Sequence, residues 1–339
     1  MNELMGDISR KSYIIVSGKG GVGKTTISVA LGMKLSESGR KTLVVSIDPA
    51  HSLGDVLDME IGSRMRKIGK NLFCLEFDPF DLFAAEKEVL KRVLSPEAGL
   101  QEGLPPISDE MIDFLVDMQL PYEFAEGLGF MKLFYSLVED RDYDTVIFDT
   151  APTGHTLELL KLPEFLDSFY GKLIKFRLKI SKFMSKIRAL FGLGRDEKAA
   201  LALKALEETH KHIKVVREVL TDPSQTEFVV VMIPNEMSIL ESSRLIDELD
   251  IHDIPHTHII VNLVRMYKGD CEFCTMMSRF HERQLKKIMR EFSRYKIWVV
   301  PYLSEEIRGV DKLEKIKNVI GKIDIGEALR LVRMETILE

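Results

Sequence analysis

The stretch SGKGGVGKTT, residues 17–26, decides the fold of this chain. It follows the apolar run SYIIVS (12–17), opens a helical pattern and fits G-x-x-x-x-G-K-[ST], with Gly18, Gly23, Lys24 and Thr25 in the required places. Glycines let successive backbone N–H groups close around a phosphate, the lysine neutralises β/γ charge, and the threonine hydroxyl can bind Mg²⁺. Gly18, Lys19, Gly20, Gly21, Val22, Gly23, Lys24, Thr25 and Thr26 are therefore the candidate ATP-binding loop. The bland alternative, a glycine-rich turn without a ligand, has the strand–loop–helix context against it.

Outward from this loop, further short runs rich in Val and Ile recur: TLVVSID (42–48), LFCLEFD (72–78), DTVIFD (144–149), FVVVMI (228–233), HTHIIVN (256–262) and IWVVP (297–301). They lack polar alternation and are separated by helical patterns, as in a parallel sheet covered on both faces. The expected fold is α/β, a doubly wound, mainly parallel sheet with an inserted α-helical subdomain. The core is expected over residues 1–79, 140–153 and 222–339. The helical subdomain takes 80–139 and 154–221, more chain than a crossover needs.

The bulk composition fits such a protein: 45% hydrophobic and 29% charged residues in a chain of 339. A net charge of −6 argues against a general nucleic-acid binder. Three cysteines and no secretory pattern at the start point to a reducing cytosol, and no run of eighteen or so apolar residues appears.

The extra lysine in KGGVGKTT, Lys19, resembles the deviant Walker A of the dimeric ATPases that include the arsenite-pump and nitrogenase iron proteins. The resemblance implies that Lys19 reaches across a homodimer interface to the partner's phosphates; a solvated surface lysine is the alternative. IDPAHSLGDVL (47–57) and FDTAPTGHTLELL (148–160) resemble the two switch segments of the arsenite-pump and guided-entry ATPase family. On that match Asp55 orients or deprotonates the attacking water, Lys19 and Lys24 serve the phosphoryl transfer, and Asp48 and Asp149 join Thr25 near Mg²⁺. MIPNEMSILESSRLIDEL (232–249) and HIIVNLV (258–264) resemble later nucleotide segments, which brings Asn235 and Asn262 into the ATP site. Asn262, ending a strand, suits reading an adenine edge; Asn235 stands where relatives often carry Glu. VVPYLSEEIRG (299–309) resembles the loop that walls the purine.

Guided-entry ATPases deliver tail-anchored membrane proteins, and such a carrier must shield about twenty apolar residues. In the helical blocks, Met111, Leu115 and Met118 fall at helical spacing, followed by Leu128 and Met131. In GKLIKFRLKISKFMSKIRAL (171–190), Phe176, Ile180, Phe183, Met184 and Ile187 recur every three or four residues among seven Lys/Arg and no acids. That basic amphipathic helix reads as a cargo groove wall, as a helix lying on an anionic membrane, or as ordinary core.

GDCEFCTMM (269–277) holds Cys271 and Cys274, half of a tetrahedral zinc site. A redox dithiol and His281 as a further ligand within the chain are alternatives. The resemblance implies one Zn²⁺ shared by two chains, while Cys74 sits in an apolar strand. Together these features imply a cytoplasmic homodimer, peripheral to a membrane during delivery, that binds ATP, Mg²⁺ and Zn²⁺ and carries transmembrane segments. ATP would close the dimer and hydrolysis open it. Whether a membrane receptor or a higher oligomer takes part stays open. The rivals are the ATPase subunit of an arsenite/antimonite efflux pump and a positioning ATPase acting on nucleic acid or membranes.

Overall fold

The computed structural model describes residues 3–48, 52–77, 122–150, 211–212, 214–266 and 270–333. Two compact units emerge: Met1–Asp78, Arg141–Leu157 and Val219–Glu339 form the first, and Pro79–Asp140 with Glu158–Glu218 the second.

The first unit is built on one sheet. Its strands are β1 (Tyr13–Ser17), β2 (Thr42–Ser46), β3 (Arg66–Lys67), β4 (Leu72–Glu76), β5 (Thr145–Asp149), β6 (Thr226–Met232), β7 (His258–Val264), β8 (Lys296–Pro301) and β9 (Ile323–Asp324). They lie in the order β3-β4-β2-β5-β1-β6-β7-β8-β9. The seven inner strands run parallel, and β3 and β9 pair antiparallel at the two edges. All seven apolar runs became these inner strands, because every residue of β1, β2, β5 and β6 is buried. The two-residue edge strands were not anticipated; Arg66 and Lys67 are exposed and carry no apolar pattern.

Flanking helices are α1 (Glu3–Ile8), α2 (Lys24–Glu37), α3 (Ser52–Leu57), α4 (Tyr122–Asp140), α5 (Glu236–Ile251), α6 (Glu272–Glu291), α7 (Val310–Val319) and α8 (Ile325–Arg333). The helix opened by the glycine-rich loop, α2, buries Ile27, Val29, Ala30, Leu31 and Leu35 completely. They join Val16, Val44, Ile147, Leu313 and Ile316 in one core cluster. A helix buried nearly all round loses a polar face, which is why α2 sits over the middle of the sheet.

Two irregularities shape the carboxyl edge of the strands. In β7 the register to β8 shifts between Val261 and Val264. There Leu263 takes φ 57 and is 36% exposed, while Asn262 is buried. Such a bulge re-aims side chains. Beside β1, the chain proceeds to β2 on one side and later to β6 on the other, so the strand order reverses at the glycine-rich loop. Open α/β sheets bind ligands at that kind of point.

The second unit's described part includes α4, in which Phe130, Met131 and Phe134 are buried and the Phe130 and Phe134 rings lie 5.7 Å apart. Tyr135 stacks on His212 at 3.7 Å between ring centroids.

Candidate nucleotide site

The loop leaves β1 and enters α2 through Gly23, whose φ of 89 lies in the left-handed region that favours glycine. A Cβ there would stand 2.4 Å from Asn262 Nδ2. No side chain caps α2, so its first turn presents backbone donors at the loop. Lys24 is buried and folds back, its Nζ 3.3 Å from the Lys19 carbonyl. Burial pushes its pKa down, against the pull of the Asp149 and Asp48 carboxylates.

On one side of the loop lies a cluster of oxygens. Asp149 ends β5 fully buried, and burial pushes its pKa up to about 6, opposed by a hydrogen bond from Thr25 and the charge of Lys24. Ser28 Oγ stands 3.4 Å from one carboxylate oxygen and Ser46 Oγ 3.4 Å from the other. Thr25 Oγ1 and Ser52 Oγ are 2.9 Å apart, which joins α2 to α3. A buried carboxylate gathered with hydroxyls and Asp48 offers the hard oxygens that Mg²⁺ takes, so these residues fit the ion. Thr25, Asp149 and Asp48 would hold it, directly or through water.

Asp55 stands exposed on α3, while Leu53 and Leu57 of the same helix are buried. The Gly54 N–H donates to Glu76 Oε1 at 2.8 Å, the Gly62 N–H to Glu76 Oε2 at 3.3 Å, and Glu76 is only 8% exposed.

On the loop's other side stand the strand ends of β6, β7 and β8. Asn262 Nδ2 donates to the Val22 carbonyl at 2.9 Å, and its Oδ1 accepts from Leu263 N–H. Both amide ends are engaged within the protein, so in this arrangement Asn262 ties β7 to the phosphate loop. Asn235 Oδ1 accepts from Ser238 N–H and caps α5, a structural use of the residue expected at the nucleotide. The Arg265 guanidinium lies 4.2 Å from the Tyr302 ring centroid, and Tyr302 N–H donates to the Val264 carbonyl. Lys19 pairs with Glu241 of α5 at 2.5 Å in the same chain.

Cys271 caps α6, accepting from the Cys274 N–H at 3.3 Å, and is exposed. Hydrogen bonding from Cys274 lowers the Cys271 thiol pKa. Cys74 is buried, and burial raises its pKa to about 12. His281, the other ligand considered, accepts the Arg265 N–H on Nδ1, and burial pushes its pKa down to about 4. Among the described residues no group of three or more His, Cys, Asp or Glu is placed to hold a metal.

Of the residues read as a cargo groove, Met111, Leu115, Met118, Phe176, Ile180, Phe183, Met184 and Ile187 lie outside the described residues, as does the Leu128 side chain. Met131 is 3% exposed, so in this arrangement it packs inside instead of lining an open groove. No helix among the described residues is long and apolar enough to cross a membrane. Ser28, Ser46, Ser52, Glu76 and Glu241 were missed at the sequence level. Lone serines and glutamates form no motif; Ser46 and Glu76 carry one signal, their place at expected strand ends.

Comparison with known proteins follows the same outline. The profile of the anion-transporting ATPase family matches residues 11–322. ATPase GET3B of Arabidopsis thaliana is 35% identical over 331 residues, covering 93% of this chain and 80% of that protein. ATPase GET3 of Podospora anserina is 33% identical over 322 residues, with 91% and 90% covered. ATPase ARSA1 of Chlamydomonas reinhardtii is 34% identical over 337 residues, which span 92% of this chain and 43% of that protein.

Proposed function

The chain belongs to the anion-transporting ATPase family and hydrolyses ATP, and from that premise we propose that it is a homodimeric carrier for the transmembrane segments of tail-anchored membrane proteins. It would act in the cytosol, meet the membrane during delivery and release its cargo for insertion.

The observation that carries the choice is the state of the three cysteines. Cys74 is buried with its thiol pKa pushed up to about 12, which leaves Cys271, exposed, and Cys274, half-buried, as the accessible pair. A single Cys-x-x-Cys pair per chain is half of a tetrahedral thiolate set. Two pairs meeting across a two-fold axis would complete a tetrahedral S₄ zinc site, the soft donor set that zinc favours. The second compact unit adds chain that ATP hydrolysis does not require. The amphipathic sequence of 171–190 would supply apolar surface for cargo.

In the cycle, Lys24 and the loop amides bind the phosphates. Thr25, Asp48 and Asp149 would hold Mg²⁺, which when bound would supply positive charge to the phosphates. Asp55 takes up or orients the proton of the attacking water. Lys19, released from Glu241, would reach the partner's phosphates, so that two ATP molecules draw the chains together. Loss of phosphate relaxes α3 and opens the dimer.

Co-expression with a protein bearing one C-terminal transmembrane segment tests the proposal. A soluble complex that disappears when that segment is deleted is expected; recovery independent of the segment overturns it.

A further inference from the structure

Glu76 is a buried carboxylate that ATP chemistry leaves without a role. It ends β4 and pairs in register with Ser46 of β2, which in turn pairs with Asp149 of β5. Two strand spacings, about 10 Å, therefore separate the backbones of Glu76 and Asp149. Glu76 thus stands two strands away from Asp149. Its oxygens turn instead to backbone: Gly54 N–H at 2.8 Å and Gly62 N–H at 3.3 Å. One amide lies within α3 and the other in the turn after it, and Gly54 directly precedes Asp55.

We infer that Glu76 is a positioning residue for ATP hydrolysis, whose buried carboxylate fixes the Asp55 segment by gripping the amides of Gly54 and Gly62. The inference rests on the reading of Asp55 as the residue that acts on water. Three facts support it. Asp55 is exposed on a helix of only six residues, too short to hold itself. Hydrogen bonds to a buried charged acceptor are the strong kind, so the grip is stiff. The approach is also tight, since a Cβ on Gly54 would stand 2.9 Å from the Met59 carbonyl oxygen and 3.4 Å from Glu76 Oε1. The other end of α3 has its own holds: Gly309 N–H donates to the Val56 carbonyl at 2.8 Å, and Arg308 pairs with Asp58 at 2.8 Å. Of these the Arg308–Asp58 pair is exposed, whereas the hold at Gly54, the residue next to Asp55, comes from a buried carboxylate.

Glu76→Gln keeps shape and volume but leaves one acceptor oxygen, because the amide NH₂ cannot accept from an N–H. A displacement near 1 Å costs about a hundredfold in a positioned reaction. The expected result is a kcat lowered at least about tenfold, with KM for ATP and ATP affinity within about threefold of wild type. Amide exchange over residues 52–62 should quicken in that variant.

Asp55→Asn, measured alongside, separates the two claims. An Asp55→Asn protein with wild-type turnover overturns the Asp55 reading and this inference with it. An inactive Asp55→Asn protein beside a fully active Glu76→Gln protein overturns the inference alone. Equal losses of turnover and ATP affinity in Glu76→Gln, or unchanged exchange over 52–62, also overturn it, since they mean general damage or no grip. Should Glu76→Gln not fold, Glu76→Asp, whose shorter side chain draws the carboxylate back from both amides, takes its place. The same kcat-only loss is then expected, and unaltered turnover refutes the inference.

Discussion

Lys19 Nζ sits 2.5 Å from Glu241 Oε1, so the lysine that distinguishes this phosphate loop is held by α5 of its own chain. Both side chains are about a third exposed or less. Such a pair contributes at most about 1 kcal/mol after solvent screening, which suits a contact that the proposed cycle exchanges for another.

Two variants follow from that pair. Lys19→Ala should bind ATP within about threefold of wild type yet lose ATP-driven association and the turnover that depends on it. Glu241→Gln should free the lysine and tighten ATP-dependent association by up to about fivefold. Sedimentation equilibrium with and without ATP reads both.

Asp55→Asn should hydrolyse ATP about 10²–10⁴-fold more slowly, because a general base or water-orienting group is gone, while nucleotide binding persists. Single-turnover hydrolysis beside an equilibrium binding titration separates the two. Normal turnover would remove Asp55 from the mechanism.

Asp149 makes a pH prediction for the nucleotide-free protein in chelator. Its carboxyl titrates at about 6 when folded, against an ordinary 3.8. Between those values the folded state keeps a proton that the unfolded chain has lost, so the contribution of Asp149 to stability falls as pH rises and stays adverse above about 6. Asp149→Asn should therefore exceed wild type by up to about 3 kcal/mol at neutral pH, the gap closing towards pH of about 4. His281 acts in the opposite sense: it titrates at about 4 when folded and an ordinary 6.5 otherwise, and its contribution is lost as pH falls between them. Thermal melts across this range should give a steeper acid loss in Asp149→Asn than in wild type.

Zinc analysis of purified protein should return one ion per two chains, with Cys271→Ser or Cys274→Ser abolishing it and weakening the nucleotide-free dimer. One ion per chain, or a dimer unaffected by either change, would count against the shared site.

The sheet was legible because burial on both faces leaves uninterrupted Val/Ile runs, as in TLVVS and FVVVM. The phosphate loop was legible because glycine and lysine at fixed spacing answer to a single chemistry. Glu76 and Glu241 were not, since each acts through a partner far along the chain: Gly54 is 22 residues from Glu76, and Lys19 is 222 from Glu241. Asn262 was half legible. Its place at a strand end was read correctly, but the bulge that turns its amide to Val22 has no mark in HIIVNLV. Asn235 shows the same limit, as its side chain serves the start of α5.

The two short antiparallel strands at the margins, Arg66–Lys67 and Ile323–Asp324, have a consequence for association. They close a parallel sheet with reversed, two-residue ends, one of them carrying two exposed cations, and offer little template for another strand. Among the described residues a second copy therefore meets no long ribbon of backbone hydrogen bonds to extend at these edges. The proposed union of two chains would then rest on side chains, loops and bound ligands, a latch and not a weld, able to part within each turn of the cycle without unravelling either member.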